Sequence, residues 1–484
     1  MKLKYLMHLL LLSSSLWITA CVETQLTEGG IGGTGISVGP ITGFGSIIQN
    51  GVRYEVSQAR FTRDGVVVTD QNQYRVGEIV KIQGSINADG ITGQATQVDY
   101  GSLLQGQITA LGTDGKSLYV LNQWVRTDSL SVLHGIQALS DLAVGNVVQI
   151  SGARDAQGII RANSLTLQQT QFITGSSSQL IEGRISQLDQ AAQTLVINGL
   201  SIDYSQVALS SLPTVNQYVQ VKSQQALQNG FLKAKSLVLT QEFLQFNEGE
   251  EAELEGLVTA LISTSRFAIN GQLVVTTANT EFENSSSTDL KLNALVEAEG
   301  RINQQGELVA EEISVRQASS AQTRELEGQV SSIDYNAQTF KVLENTLIVD
   351  SSTSILHKTA DQETSLRFTD LQVNDHLEIK ARQLADGRLL ALRIERDLED
   401  IDSPDVEIKG ITQQINPTQG SLVILGITIT PAAHTQFEIN SNTVSQAQFF
   451  AALIEGQSIV KAEGRKLTNH SLQADSLELE TEDD

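Results

Sequence analysis

The 484 residues carry 56 acidic against 32 basic side chains, a net charge of −24, with one cysteine and 5% aromatic residues. A chain this long exceeds a single compact core, and an acidic balance of this size opposes binding to phosphate backbones. One cysteine excludes an intramolecular disulfide and any multi-thiolate metal site.

The chain opens with Met1-Lys2-Leu3-Lys4, runs through a short, mostly apolar stretch from Leu6 to Trp17, and ends it with Ile18-Thr19-Ala20-Cys21. This resembles the signal peptide and lipobox of a bacterial lipoprotein. The resemblance implies removal of residues 1–20, a thioether-linked diacylglyceryl group on Cys21 and acylation, typically by palmitate, of the new amine. Loss of Lys2 and Lys4, with no acid, would take the net charge from −24 to −26. Val22 stands where an aspartate would suggest inner-membrane retention, so the expected address is the outer membrane, periplasmic or surface facing. No other stretch has the roughly 18 consecutive apolar residues of a membrane helix, so anchorage is expected to rest on the lipid. Residues 21–40 read as a Gly-rich tether. Its Gly30-x-Gly32-x-x-Gly35 matches a dinucleotide fingerprint. It lacks the preceding strand and following helix that give that motif its phosphate-binding geometry, and no cofactor is expected.

From there one pattern recurs six times, over 41–103, 104–170, 180–242, 254–317, 326–397 and 407–481. It is clearest where Val144, Val148 and Ile150, then Ile159, Leu165 and Leu167, stand at strand-like spacing about a polar turn at 153–157. Ala95, Ala162, Ala234, Ala310, Ala391 and Ala474 hold one position of it, and Val98, Leu165, Leu237, Ile313, Ile394 and Leu477 lie three residues on. Each repeat opens on an apolar residue two before a glycine, at Gly43, Gly106, Gly183, Gly256, Gly328 and Gly410. A hairpin follows, marked by Asn50-Gly51, Asn198-Gly199, Asn270-Gly271 and Leu425-Gly426, because Asn-Gly supplies the positive φ angles of a tight turn. Repeats two and five depart from it with Leu121-Asn122 and Glu344-Asn345. Leu130, Leu133, Ile136 and Leu139 predict a helix within 129–142, and Phe449, Phe450 and Leu453 another within 444–454. Three strands, a loop or helix and two strands is the order of the partly open OB-fold barrel. The expected fold is all-β, a tandem array of about six small five-stranded OB-like β-barrel domains with a short helix in some repeats. A sandwich of other topology is the alternative. Units of this size are expected to need neighbours against which to bury surface.

The phrase from Gly39 to Tyr54, Gly-Pro-Ile-Thr-Gly-Phe-Gly-Ser-Ile-Ile-Gln-Asn-Gly-Val-Arg-Tyr, with Val76-Gly77 and Asp89-Gly90 after it, resembles the bacterial family called domain of unknown function 5666. Its members are typically exported or lipid-anchored, with several such domains in tandem after a Gly-rich stretch. The likeness is closest in repeat one and loosest in six, where Asn469-His470 replaces the usual Asp-Gly turn. It implies fold and address, and carries over no catalytic residue.

No nucleophile elbow, metalloprotease helix, phosphate loop or EF-hand loop occurs. His134, His357, His376, His434 and His470 are scattered singly, a pattern expected of surface or loop residues. The chain is therefore read as not an enzyme. Two acidic runs separate units. Within them Glu248, Glu250, Glu251 and Glu253, or Asp397, Glu399, Asp400, Asp402 and Asp405, offer the several hard oxygens that a calcium ion takes. The plainer reading is a pair of solvated, self-repelling linkers. The leading expectation is a non-enzymatic scaffold or adaptor of the cell envelope that meets a protein partner through free strand edges. The alternative is an envelope glycan-binding module, to be recognised by Tyr54, Phe61, Tyr74 and Tyr100 lying exposed on one face of repeat one. Nucleic-acid binding is opposed by charge.

Overall fold

The computed structural model describes residues 34–480 except 129, 210, 241–242, 284, 318–322, 351–352, 359–362, 385–386 and 398–404. The first barrel contains β1 (Thr34–Gly43), β2 (Ile47–Gln49), β3 (Val52–Glu55), β4 (Arg60–Arg63), β5 (Val66–Val68), β6 (Ile79–Ile86) and β7 (Thr92–Tyr100). The strand β1 pairs antiparallel with β2 and β2 with β3, while β3 and its continuation β4 run parallel to β7. The closing pair β6 and β7 is antiparallel, and β6 returns to β1. The circuit β1-β2-β3-β7-β6-β1 is closed, in the strand order of an OB-fold.

The second barrel repeats it with β8 (Leu104–Leu111), β9 (Ser117–Val120), β10 (Gln123–Arg126), β11 (Val132–His134), β12 (Val147–Arg154) and β13 (Ile160–Gln169). Four more circuits of the same order open with strands Gln179–Asp189, Glu251–Ser263, Thr323–Asp334 and Asp405–Asn416. Residues 34–40 and Glu251 to Glu253, read from the sequence as tether and linker, are therefore barrel strands. The five-stranded OB-like barrels expected are closed circuits, because each closing pair reaches back to its own opening strand.

The recurring alanines and the apolar residues three beyond them line the barrel interiors, from 0% exposed at Ala474 to 7% at Leu237. Val144 does not join them. It is 61% exposed, because Gly145 takes a φ of +100° and its N–H bonds Ile108 O before β12 begins. Gly77, Asn216, Asn293, Asn374 and Gly456 make the same left-handed turn onto their own opening strands, with N–H to O distances of 2.8–2.9 Å.

The marker glycine has a steric cause. In the first four barrels it lies tightly under the first residue of the hairpin turn, and in the last two that residue stands at ordinary contact distance. In all six the turn residue sits in the left-handed region, since Asn50, Leu121, Asn198, Asn270, Leu343 and Leu425 have φ between 47° and 50°. A Cβ on Gly256 would stand 2.2 Å from Asn270 Nδ2, and one on Gly106 would stand 2.6 Å from Leu121 Cγ. In repeat one the counterpart is Gly39, beneath Asn50, and not Gly43. Repeats two and five do not depart from the hairpin. Their turns are Leu121-Asn122 and Leu343-Glu344, all four residues at positive φ, with Leu121 and Leu343 buried.

Between the third strand and the closing pair, only the last barrel holds an α-helix among the described residues, α1 (Gln446–Ala452), capped by Ser445 Oγ on Gln448 N and packing Phe449 and Phe450 inward. The helix predicted for 129–142 is instead β11, parallel to β13, followed by a single 3-10 turn at Leu139–Asp141. Gly135 at φ +78° ends that strand and breaks any helical run.

Barrel closure leaves the first half of each opening strand paired on one side only, to its penultimate strand, and these half-open edges find each other. The strand β1 pairs parallel with barrel four, Gly35 to Val38 against Glu251 to Leu254. The strand β8 pairs antiparallel with barrel three at Leu104 and Gln105, and the opening strands of barrels five and six pair at 325–327 with 407–409. Further bonds tie the pairs together. Ile79 N donates to Ser151 Oγ at 2.8 Å, Asn293 Nδ2 to Gln157 Oε1 at 3.0 Å, Ser354 Oγ to Thr42 O at 2.6 Å and Arg382 Nη1 to Val315 O at 2.8 Å. The barrels are thus not strung in sequence order, since barrel one joins barrel four.

Candidate functional site

The buried polar chemistry of this molecule sits at the seams between barrels. Glu253, Glu325 and Glu407 each stand three residues before a marker glycine, so the repeat places all three on the edge that meets another barrel. Their surroundings differ in charge.

In the seam of barrels five and six, Lys380 Nζ and Lys409 Nζ lie 2.7 and 3.0 Å from the Glu325 carboxylate. Lys409 also meets Glu480 at 2.9 Å, and Glu480 meets Lys116 of barrel two at 3.2 Å. Burial pushes the Glu325 carboxyl up, but the two ammonium groups outweigh it and hold the pKa at about 2. Glu407 stays near 7 despite its contact with Lys461, because burial raises it more than that cation lowers it.

The seam of barrels one and four has no such compensation. Glu253 is fully buried, and its Oε2 accepts a bond from Ser37 Oγ at 2.9 Å across the parallel register Ser37 to Glu253. Its other oxygen finds no donor and faces Glu297, also a carboxyl. Burial first, and then the Glu297 charge, push the Glu253 pKa well above the ordinary carboxyl range. Burial and the neighbouring glutamates raise Glu299 and Glu312 to about 7. Glu253 and Glu297 are thus neighbouring carboxyls, and burial and the Glu297 charge both oppose ionisation of Glu253. A carboxyl sealed at 0% exposure reaches no substrate, so Glu253 is an interface element.

A third contact joins barrels one and two. Within barrel one Arg63 forms a two-pronged bond to Glu78, at 2.6 and 2.8 Å, with the Tyr100 ring 4.1 Å away, and its Nη2 reaches Gln149 Oε1 of barrel two at 3.5 Å. His134 Nε2 lies 2.8 Å from Val76 O, and burial pushes its pKa down. His134 and His376 are thus buried strand residues, at 8% and 2% exposure, where isolated histidines had been expected on surfaces or loops. His434 fits that expectation, 75% exposed at its side chain and 2.7 Å from Asp475.

The proposed calcium oxygens are not gathered. Glu250 accepts from Asn247 N and Nδ2, Glu251 pairs with Arg301, and Glu248 is exposed. Asp400 and Asp402 lie outside the described residues, and Asp405 begins a barrel strand. Among the described residues no group of three or more His, Cys, Asp or Glu is placed to hold a metal ion, and no helix is long and apolar enough to cross a membrane. Cys21 also lies outside the described residues. Tyr54, Phe61, Tyr74 and Tyr100 are buried, at 6% exposure or less, which removes the sugar-binding face imagined on repeat one. Tyr74 instead donates its hydroxyl to Thr62 O and packs against Phe61 and Tyr100. The exposed aromatic pair is elsewhere, Tyr119 with Trp124 on the second barrel.

Six closed five-stranded barrels, three of whose seams are continuous β-pairings, define a tandem-repeat β protein. The chain belongs to the family described as domain of unknown function (DUF5666), whose model matches residues 105–179, 255–314, 327–395 and 409–478, more than half of its length. Those segments are barrels two, four, five and six. Barrel one, where the sequence likeness had looked closest, shares the topology but lies outside the matched segments. No curated protein matches the chain.

Proposed function

We propose that this protein is a non-enzymatic scaffold of the bacterial envelope, held at the outer membrane by lipid on Cys21. The observation that carries the reading is the main-chain pairing of barrels one with four, two with three, and five with six. Seams of this kind give a body whose surfaces keep their relative positions, which is what a scaffold requires and what independent ligand-binding beads do not. The same seams change how a partner would be met. The half-open edge of each opening strand is already taken by another barrel, so strand addition there is closed and docking falls to hairpin turns and side-chain surfaces.

The test is in-cell crosslinking of the tagged, full-length protein, with mass spectrometry of what travels with it. A reproducible, near-stoichiometric envelope protein is the expected result, and recovery of nothing above background overturns the scaffold reading. For the anchor, Cys21→Ser is expected to move the protein from the membrane to the soluble fraction; unchanged membrane association would overturn that part.

A further inference from the structure

The second barrel carries two rings that its fold does not need. Tyr119 in β9 and Trp124 in β10 stand opposite each other across the hairpin. Their rings are nearly parallel, at 14°, with centroids 6.2 Å apart, and they remain 37% and 40% exposed. Parallel rings in full face contact sit about 3.5–4 Å apart. At 6.2 Å the two are not in full face contact, and both stay open to solvent over more than a third of their surface.

The plain explanation is a cross-strand pair that stiffens a hairpin. The molecule supplies its own control. Five other barrels build this hairpin around the same left-handed turn, and at the equivalent pair they place Ile48 with Arg53, Val196 with Ser201, Ala268 with Leu273, Lys341 with Thr346 and Val423 with Thr428. None is aromatic, so hairpin formation does not explain the rings. Trp124 is also the one tryptophan beyond residue 20.

The surroundings narrow the ligand. Arg126 lies 3.8 Å from Asp114 and Lys116 lies 3.2 Å from Glu480, so the rim is charge-balanced on a molecule of net charge −24. Anionic polymers, including nucleic acid, which would stack on the same rings, are repelled by that field. The strand β9 lies between β8 and β10, and β10 lies between β9 and, from Val125 on, β13, so no more than the two residues Gln123 and Trp124 offer a main-chain edge, too short for strand addition by a peptide. Two rings also fall far short of the roughly 1,000 Å² that a stable protein interface buries. A ligand with a flat C–H face, hydrogen-bonding edges and no charge fits what remains.

We infer that Tyr119 and Trp124 form a platform for a neutral oligosaccharide, whose sugar rings lay their C–H faces on the aromatic rings while their hydroxyls face water and the rim. This goes beyond the scaffold reading and does not depend on it.

The test uses the full-length chain with Trp17→Phe, so that Trp124 is the sole indole emitter. It is titrated with a panel of neutral gluco-, manno-, galacto- and N-acetylated tetrasaccharides, and with oligogalacturonate as the anionic probe. A saturable change in emission with at least one neutral probe is expected. Tyr119→Ala in that background, read by fluorescence, and Trp124→Ala, read by calorimetry, should each weaken binding by about tenfold or more. Circular dichroism of both variants should match the parent, since five sister hairpins fold without these rings. The inference is overturned by no saturable response to any neutral probe at millimolar concentration, by sugar binding that ignores both substitutions, or by tighter binding of oligogalacturonate. It is equally overturned if a photocrosslinker at position 119 captures a protein and no neutral sugar binds. The crosslinking test of the scaffold reading fails or succeeds separately.

Discussion

A close approach beneath the hairpin turn explains the marker glycine in four of the six barrels. Gly256 lies under Asn270, whose Oδ1 also accepts the Leu257 N–H at 2.9 Å, so Gly256→Ala must displace a side chain that is itself bonded. A loss of about 1–3 kcal/mol is expected in chemical denaturation. The reverse gain is available at Glu344, which holds φ +60° without being glycine. Glu344→Gly should stabilise by about 0.5–1 kcal/mol by removing left-handed strain, less the entropy that glycine brings to the unfolded chain. Buried carboxyls make a third residue-scale case. Glu253 has no cation beside it, so its folded pKa is raised and its ionisation opposes folding. Below the unfolded carboxyl pKa it is protonated in both states and costs nothing. As pH rises through the window between that value and the folded one, the unfolded state loses the proton first and stability falls. Glu253→Gln should therefore raise the melting temperature more at pH ~8 than at pH ~5; an equal shift at both would contradict the assignment.

The elements that matter most are the opening strands, each serving its own barrel along its length and another barrel along its first half. Glu325 shows how the five-to-six seam is held, between Lys380 and Lys409. Glu325→Leu removes the shared anion, and since Lys380 keeps Glu378 and Lys409 keeps Glu480, the cost should fall near the lower end of the range for breaking a buried pair, about 3 kcal/mol. Hydrogen exchange should quicken at 325–327 and 407–409 while the circuits within the two barrels stay protected. If the barrels themselves lose protection, the seam is not a separable unit. The repeat made Glu253, Glu325 and Glu407 legible as equivalent positions, but nothing in their spacing told which would meet lysine and which would meet glutamate. That depends on which barrel lies across the edge.

At the scale of the whole molecule, Glu325 and the raised carboxyls respond to pH in opposite senses. Glu325, lowered to about 2, contributes stability that is present above the unfolded carboxyl pKa and is lost as pH falls toward the folded one. Glu299 and Glu312, at about 7 against 4.5 unfolded, contribute stability that is present in acid and is lost as pH rises through that interval. Exchange at 35–38 and 251–254 should therefore quicken between pH ~5 and ~8, after correction for the intrinsic rate. Exchange at 325–327 should quicken in acid, where Glu325 takes up its proton, in addition to any loss on the alkaline side from Glu407 at about 7. Absence of acid quickening at 325–327, or its presence at 251–254, would refute the charge argument.

By itself the sequence determined the barrel. Alternation, the Asn-Gly turns, the marker glycines and the buried alanines are local signals, because strand faces and left-handed turns are decided within a few residues. The family followed from the same local pattern. Misreadings came where a local signal had two outcomes. Leu130, Leu133, Ile136 and Leu139 carry a helical spacing but also suit a short strand and turn once β13 offers an edge. Gly43, with Ile41 two before it, matched the marker pattern and Gly39, with Ser37 there, did not, yet it is Gly39 that lies beneath Asn50. Only the tertiary structure decided which barrels pair, that barrel one reaches past two others to barrel four, and that Tyr54, Tyr74 and Tyr100 turn inward while Tyr119 and Trp124 stay outside. Edge pairing between distant repeats depends on three-dimensional proximity, for which a repeated sequence offers many near-equivalent partners and no local preference among them.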